Sequence, residues 1–157
     1  MRIKDILSFY KKIIMIENIK YYFDKTLDTS YWYEVPYINI DHNSIKNYDE
    51  NIMINEELNQ LSWEYVREIV RELEEVVAWT RDYCSFWFET TFVNVWKKGF
   101  KSPIDWKIYD NWFVDISYNY WEDEIDTDLK AEEILKMMTE WRDYINAWEK
   151  ETGKIKH

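Results

Sequence analysis

The side chains able to do chemistry in this 157-residue chain are almost all carboxylates. Asp and Glu number 31, against two histidines, one cysteine and two glycines. Two glycines, Gly99 and Gly153, are too few for a phosphate-cradling loop, where only glycine lets the backbone approach a phosphate closely. P-loop and dinucleotide fingerprints are therefore excluded. A Ser–His or Cys–His nucleophile pair would have to use His42 or the terminal His157. His42 lies in a polar loop and reads as a solvated residue. Cys84 sits among aromatics and reads as a small buried hydrophobe, and a single cysteine excludes an internal disulfide and cysteine-cluster metal sites.

The carboxylates that stand out are Glu89 and Asp115, each within a strand-like stretch. If those strands pair, the two form an oxygen-ligand set for Mg²⁺ or Mn²⁺, with Lys97 or Lys107 as a neighbouring cation. Such a cluster suits a metal-dependent nuclease or nucleotidyl-transfer enzyme, in which the ions stabilise charge in an in-line displacement. The Gly-Ser…Asp-x-Asp and Pro-Asp…(Asp/Glu)-x-Lys patterns of such enzymes are absent. The acidic run Glu122, Asp123, Glu124, Asp126, Asp128 does not match a calcium loop started at Asp123 or at Asp126, because glycine is missing at the sixth position and glutamate at the twelfth. It reads as a solvated linker.

The second resource is aromatic. Ten tryptophans accompany a net charge of −11. Tryptophan dominates the energetic centres of protein interfaces, and an acidic excess disfavours a phosphate backbone as the main partner. The charge is uneven. Residues 1–26 hold six basic and three acidic residues, while the other 131 hold 14 basic and 28 acidic. A basic first element thus precedes a strongly acidic body, on which it is expected to dock.

The positioning elements follow from periodicity. Residues 3–20 repeat apolar side chains at helical steps (Ile3, Ile6, Leu7, Tyr10, Ile13, Ile14). Residues 31–40 read as a strand, confined by Pro36 to an edge or a bulge. Residues 41–55 read as an Asn/Asp-rich loop. Residues 56–81 form the clearest helix, capped by Asn55, with a stripe of Leu58, Leu61, Tyr65, Val66, Ile69, Val70, Leu73, Val76 and Val77. Its other face offers the local pairs Glu64–Arg67 and Arg71–Glu75. Residues 83–97 read as one strand, apolar on both faces. KKGFKSP (97–103) is a turn, 104–109 a short strand, and 112–121 an alternating strand with Val114 and Ile116 inward and Asp115 and Ser117 outward. A final helix spans about 128–150, burying Ala131, Ile134, Leu135, Met138, Trp141, Ile145 and Trp148.

The expected architecture is a single α+β domain over 1–157, with an antiparallel sheet of about four strands packed against three helices in the order α-β-α-β-β-β-α. No stretch approaches the roughly 20 apolar residues of a membrane helix, and no leader is apparent, so a cytoplasmic protein is expected. Trp141, Trp148, Trp106 and Trp112 are expected in the core, Trp96 beside Phe86, Phe88 and Phe92, and Trp63 and Trp79 half exposed. Trp87, Trp121 and Trp32 share parity with polar neighbours. They are expected to form an exposed aromatic patch edged by Glu89, Asp115, Glu122, Asp123 and Glu124. That surface suits an acidic binding protein for a basic partner, such as a viral or mobile-element inhibitor or an immunity protein filling a nucleic-acid-binding groove. No cofactor is needed for that function. The metal enzyme is the alternative, and a homo-oligomer using strand 83–97 a third.

Overall fold

The strand expected at 31–40 is half of a hairpin. In the computed structural model, which describes residues 19–45, 58–88, 91–101, 106, 108–109, 113–118, 123–127 and 129–155, β1 (Tyr21–Asp28) pairs antiparallel with β2 (Tyr33–Ile40). The sequence hides β1 because most of it stays exposed, so polar residues fill positions that burial would make apolar. The backbone groups of Ile38 point away from β1. Its N–H donates to Asn59 Oδ1 at 2.9 Å and its C=O accepts from Asn59 Nδ2 at 2.8 Å. Pro36 lies two residues away and faces the same way, so its missing N–H removes no ladder bond. The edge position expected for Pro36 is correct.

The long helix begins later than its stripe implies. Residues 58–60 are helical, the chain bends at Leu61, and α1 runs Trp63–Val77. Ser62 is the cap, its Oγ accepting from the Tyr65 N–H at 3.2 Å. Asn55 lies outside the described residues. The buried stripe is otherwise as expected, with Val66, Ile69, Val70, Leu73 and Val76 in the core. The expected local partners are exchanged, Arg67 for residues of the last helix and Arg71 for another local glutamate. Arg67 bonds Glu149 at 2.6 Å and Asn146 at 2.9 Å across the helix pair, and Arg71 meets Glu68. Arg67 thereby ties α1 to the last helix, α2 (Ala131–Thr152).

Helix α2 buries the predicted stripe, with Met137 in addition and Leu135 at its margin. Lys130 N–H donates to Glu133 Oε2 at 2.8 Å at its start, and Gly153 closes it in the left-handed region. The β1–β2 hairpin packs on α2 through aromatic rings. Phe23 stacks on Trp141 with centroids 5.5 Å apart, and Tyr33 on Trp148 at 6.1 Å. Tyr21 donates its hydroxyl to Glu140. Burial, then the neighbouring carboxylate, raises the Tyr21 pKa above the ordinary phenol range.

The second sheet is antiparallel, in the order β3 (Tyr83–Phe88), β4 (Thr91–Trp96), β7 (Phe113–Tyr118), β8 (Asp123–Asp126). A small hairpin, β5 (Phe100–Lys101) with β6 (Ile108–Tyr109), lies between β4 and β7 in sequence. The mixed α+β class is as expected, but the order is not. Eight strands in three sheets are described, because β1 precedes the 31–40 strand, the 83–97 strand is a hairpin, Phe100–Lys101 pairs with Ile108–Tyr109, and the acidic linker contains β8. Thr127 ends β8, its Oγ1 donating to the Val114 carbonyl at 2.6 Å. The sheet packs on α1, α1 packs on α2, and one buried cluster runs from Ile19 to Trp148. The helix expected at 3–20, apart from Ile19 and Lys20, and the 46–55 part of the loop lie outside the described residues.

Candidate binding face of the four-stranded sheet

Strand register sorts the sheet's residues into two faces. One consists of the rows Cys84–Val95–Val114 and Phe86–Val93–Ile116–Ile125. Cys84, Phe86, Val93, Val95 and Val114 are buried in the core. The other face has three rows. Ser85–Asn94–Asp115–Asp126 runs across all four strands, flanked by Tyr83–Trp96–Phe113 and by Trp87–Phe92–Ser117–Glu124. A polar row ending in two aspartates is thus bordered by aromatic positions.

This register corrects the aromatic assignments. β3 and β4 are joined through only Glu89 and Thr90, and Phe88 pairs with Thr91. Odd positions on β3 therefore pair with even positions on β4. Trp96 and Phe92 leave the Phe86 face and join Tyr83 and Trp87. Trp96 is buried there, with Phe100 stacked on it at 5.4 Å and an interplanar angle of 16°. Asn94 is only 3% exposed, and its Oδ1 accepts from Ser85 Oγ at 2.8 Å. At Asn94 and Trp96 of β4 the sheet is covered on this side as well, whereas Tyr83 of β3 is half exposed.

Of the expected binding residues, Trp87, Asp115 and Glu124 occupy positions on this face. Asp123 pairs with Tyr118 at the alternate parity. Glu89, Trp121 and Glu122 lie outside the described residues, so the Glu89–Asp115 pair is not described. Asp115 instead stands opposite Asp126, a residue that reading 121–128 as a linker passes over. Alternation within Asp123–Asp126 is the signal that marks it. Lys97, expected beside the carboxylates, pairs with Asp82 at 2.9 Å. Lys107, Trp112 and Asp128 lie outside the described residues. Among the described residues, no three His, Cys, Asp or Glu side chains gather as a metal site.

Cys84 is inert, as its setting predicts. Its thiol is buried and directed at Glu72 Oε2, 3.5 Å away. Burial, then the Glu72 charge, pushes its pKa up to about 12. The unfolded chain releases this proton at a lower pH, so stability is expected to be constant below about pH 9 and to fall as the pH rises towards 12. Ellman's reagent should label Cys84 only after unfolding. Rapid labelling of the native protein at pH 8 would contradict this burial.

The tryptophans divide differently from their periodicity. Trp141, Trp148 and Trp63 are core, and Trp63 meets Trp148 edge-on at 5.4 Å. Trp32, Trp79 and Trp106 are 82%, 56% and 71% exposed. These same three are the described non-glycine residues with positive φ, at 59°, 67° and 60°. Trp106 was expected in the core, but it lies outside the short β6 and enters no apolar face. Trp32 ends the β1–β2 turn beside an open groove of about 600 Å³ lined by Leu27, Tyr31, Val35, Pro36 and Gln60. Trp79 closes α1 in a Schellman arrangement, where its N–H bonds the Val76 carbonyl at 3.1 Å and the Thr80 N–H bonds the Glu75 carbonyl at 2.9 Å. Glycine ordinarily takes that left-handed position, because a Cβ there crowds the backbone. Trp79→Gly is expected to stabilise the fold by about 1 kcal/mol, or roughly 2–4 °C in Tm by circular dichroism. A fall in Tm would mean that the ring contributes packing that outweighs the strain.

No protein-family model matches the chain, and no curated protein or solved structure matches it. No described helix is long and apolar enough to cross a membrane.

Proposed function

We propose that the chain is a non-enzymatic binding protein whose acidic sheet face engages a basic partner protein. The observation that carries this reading is the register at β7 and β8, where Asp115, Asp126 and Glu124 share one face with Trp87. Carboxylates on a regular strand spacing attract a cationic groove and speed encounter, while aromatic residues lengthen residence. Trp121, Glu122 and Glu89 adjoin this surface in sequence and complete the proposed contact set, while Asp123 falls at the alternate parity. A nucleic-acid-binding enzyme is the partner class that fits, because its groove is built to accept regularly spaced negative charge. An inhibitor or immunity protein of viral or mobile-element origin, acting in the cytoplasm, would work in this way.

The test is affinity capture from host lysate at low salt, with wild type beside the Asp115→Lys, Glu124→Lys double variant. Wild type should recover a basic protein that elutes with salt, and the double variant should associate about tenfold more slowly or not at all. Equal capture by both would refute the assigned face.

A second reading has one observation in its favour. Asp115 and Asp126 stand directly opposite, an arrangement of like charges that destabilises a sheet. A bound Mg²⁺ or Mn²⁺ would relieve that repulsion and supply the Lewis acid of a nuclease or nucleotidyl-transfer site. Titration calorimetry with Mn²⁺ separates the readings. Binding lost in Asp115→Asn would favour the metal, and an absence of heat would remove it.

A further inference from the structure

The acidic excess is reversed locally between β4 and β6. Residues 97–107 carry four lysines and one aspartate. Here Lys101 of β5 and the exposed ring of Trp106 come together. Lys101 Nζ lies 5.0 Å from the centroid of the Trp106 ring, which is 71% exposed. Tyr83, at the start of β3, is half exposed, and its ring is supported from beneath by Trp96 at 5.4 Å and Phe100 at 6.2 Å. Lys98 is exposed in the turn that leads into β5. Trp106 holds a left-handed backbone conformation that a large side chain adopts only at a cost, and its ring is not sequestered in the core.

We propose that the β5–β6 hairpin and the start of β3 form a stacking platform for single-stranded nucleic acid. Flat rings interleaved with lysines match its two repeating features, the π-face of each base and the phosphate between bases. An acidic peptide would satisfy the lysines but would leave the rings of Trp106 and Tyr83 without stacking partners. The chain's net charge of −11 does not prevent this, because screening confines electrostatics to about 10 Å at 0.1 M salt, so the local lysines govern contact. This inference does not rest on the acidic face at β7–β8, and it concerns a different set of residues.

The experiment is fluorescence anisotropy of a labelled 12-nucleotide oligo(dT), repeated with oligo(U), titrated with the full chain at several salt concentrations. Binding is expected at 0.1 M salt, where the distant carboxylates are screened, and should weaken as salt rises further, with a log–log slope of about −0.7 for each phosphate neutralised. Trp106→Gly keeps the left-handed backbone and removes the ring. It should weaken binding roughly tenfold or more while leaving the salt slope unchanged. Lys98→Ala with Lys101→Ala should flatten the slope. No binding to either oligonucleotide at 0.1 M salt would overturn the proposal. So would unchanged affinity in Trp106→Gly with a native circular dichroism spectrum, or equal competition by polyglutamate. None of these outcomes depends on Asp115 or Glu124, so the two proposals fail separately.

Discussion

Trp141→Ala is expected to cost about 3–5 kcal/mol and to lower Tm by roughly 10 °C or more. Trp141 is 1% exposed and sits where the two layers meet. It belongs to α2, yet its ring stacks on Phe23 of β1 at 5.5 Å and on Tyr144 at 6.2 Å. Truncation removes the largest side chain in this part of the core and opens a cavity that the surrounding helix and hairpin fill only partly. The indole has a further property. Its Nε1–H is buried and has no hydrogen-bond partner among the described residues. An unsatisfied buried donor costs about 1–3 kcal/mol, so part of the apolar gain from this ring is offset. Trp141→Phe removes that donor together with some volume. It should therefore destabilise by less than half as much as Trp141→Ala. Urea denaturation of both variants gives the comparison. A phenylalanine variant as unstable as the alanine one would mean that the indole N–H is satisfied in the native protein.

Asn59→Ala is expected to cost about 2–4 kcal/mol, a large effect for a residue outside the apolar core. The Asn59 amide acts as a short substitute strand. It takes the Ile38 N–H and gives to the Ile38 C=O, closing both backbone groups of a residue that is fully buried. Alanine leaves both groups without partners in a place that water does not reach freely. Asn59→Asp is a sharper control. It keeps an acceptor for the N–H but sets a carboxylate against the carbonyl oxygen, so it should be no better than alanine. Thermal unfolding measures both. A loss below about 0.5 kcal/mol in Asn59→Ala would show that water replaces the amide there.

How much of this was legible beforehand depends on the range of the interaction. Helical stripes are short-range, and α2 buries every residue its period marks, with Leu135 alone at the margin. The first boundary of α1 is hidden in the sequence because the apolar period continues through Leu58 and Leu61 although the chain bends there. Ser62, a cap residue inside the stripe, was the missed signal. The α+β class followed from the change between periods of 3.6 and 2. Pro36 named an edge because a missing N–H is a local fact.

The candidate face depended on information the local pattern does not hold. Its aromatic rows follow from a reversal between Phe88 and Thr91 that pairs odd with even positions and carries Trp96 away from Phe86. Single-strand alternation cannot show this, because parity across a hairpin depends on where the turn falls. Asp126 joined Asp115 only because β8 pairs with β7. Trp106 left the core because the backbone turns left-handed there, which no apolar period records. By itself the sequence determined composition-level facts: an acidic, aromatic-rich chain without glycine loops or cysteine sites, whose helices bury one stripe each. Tertiary structure decided which carboxylates and rings share a surface, because register and chain reversal are set by contacts between residues distant in sequence.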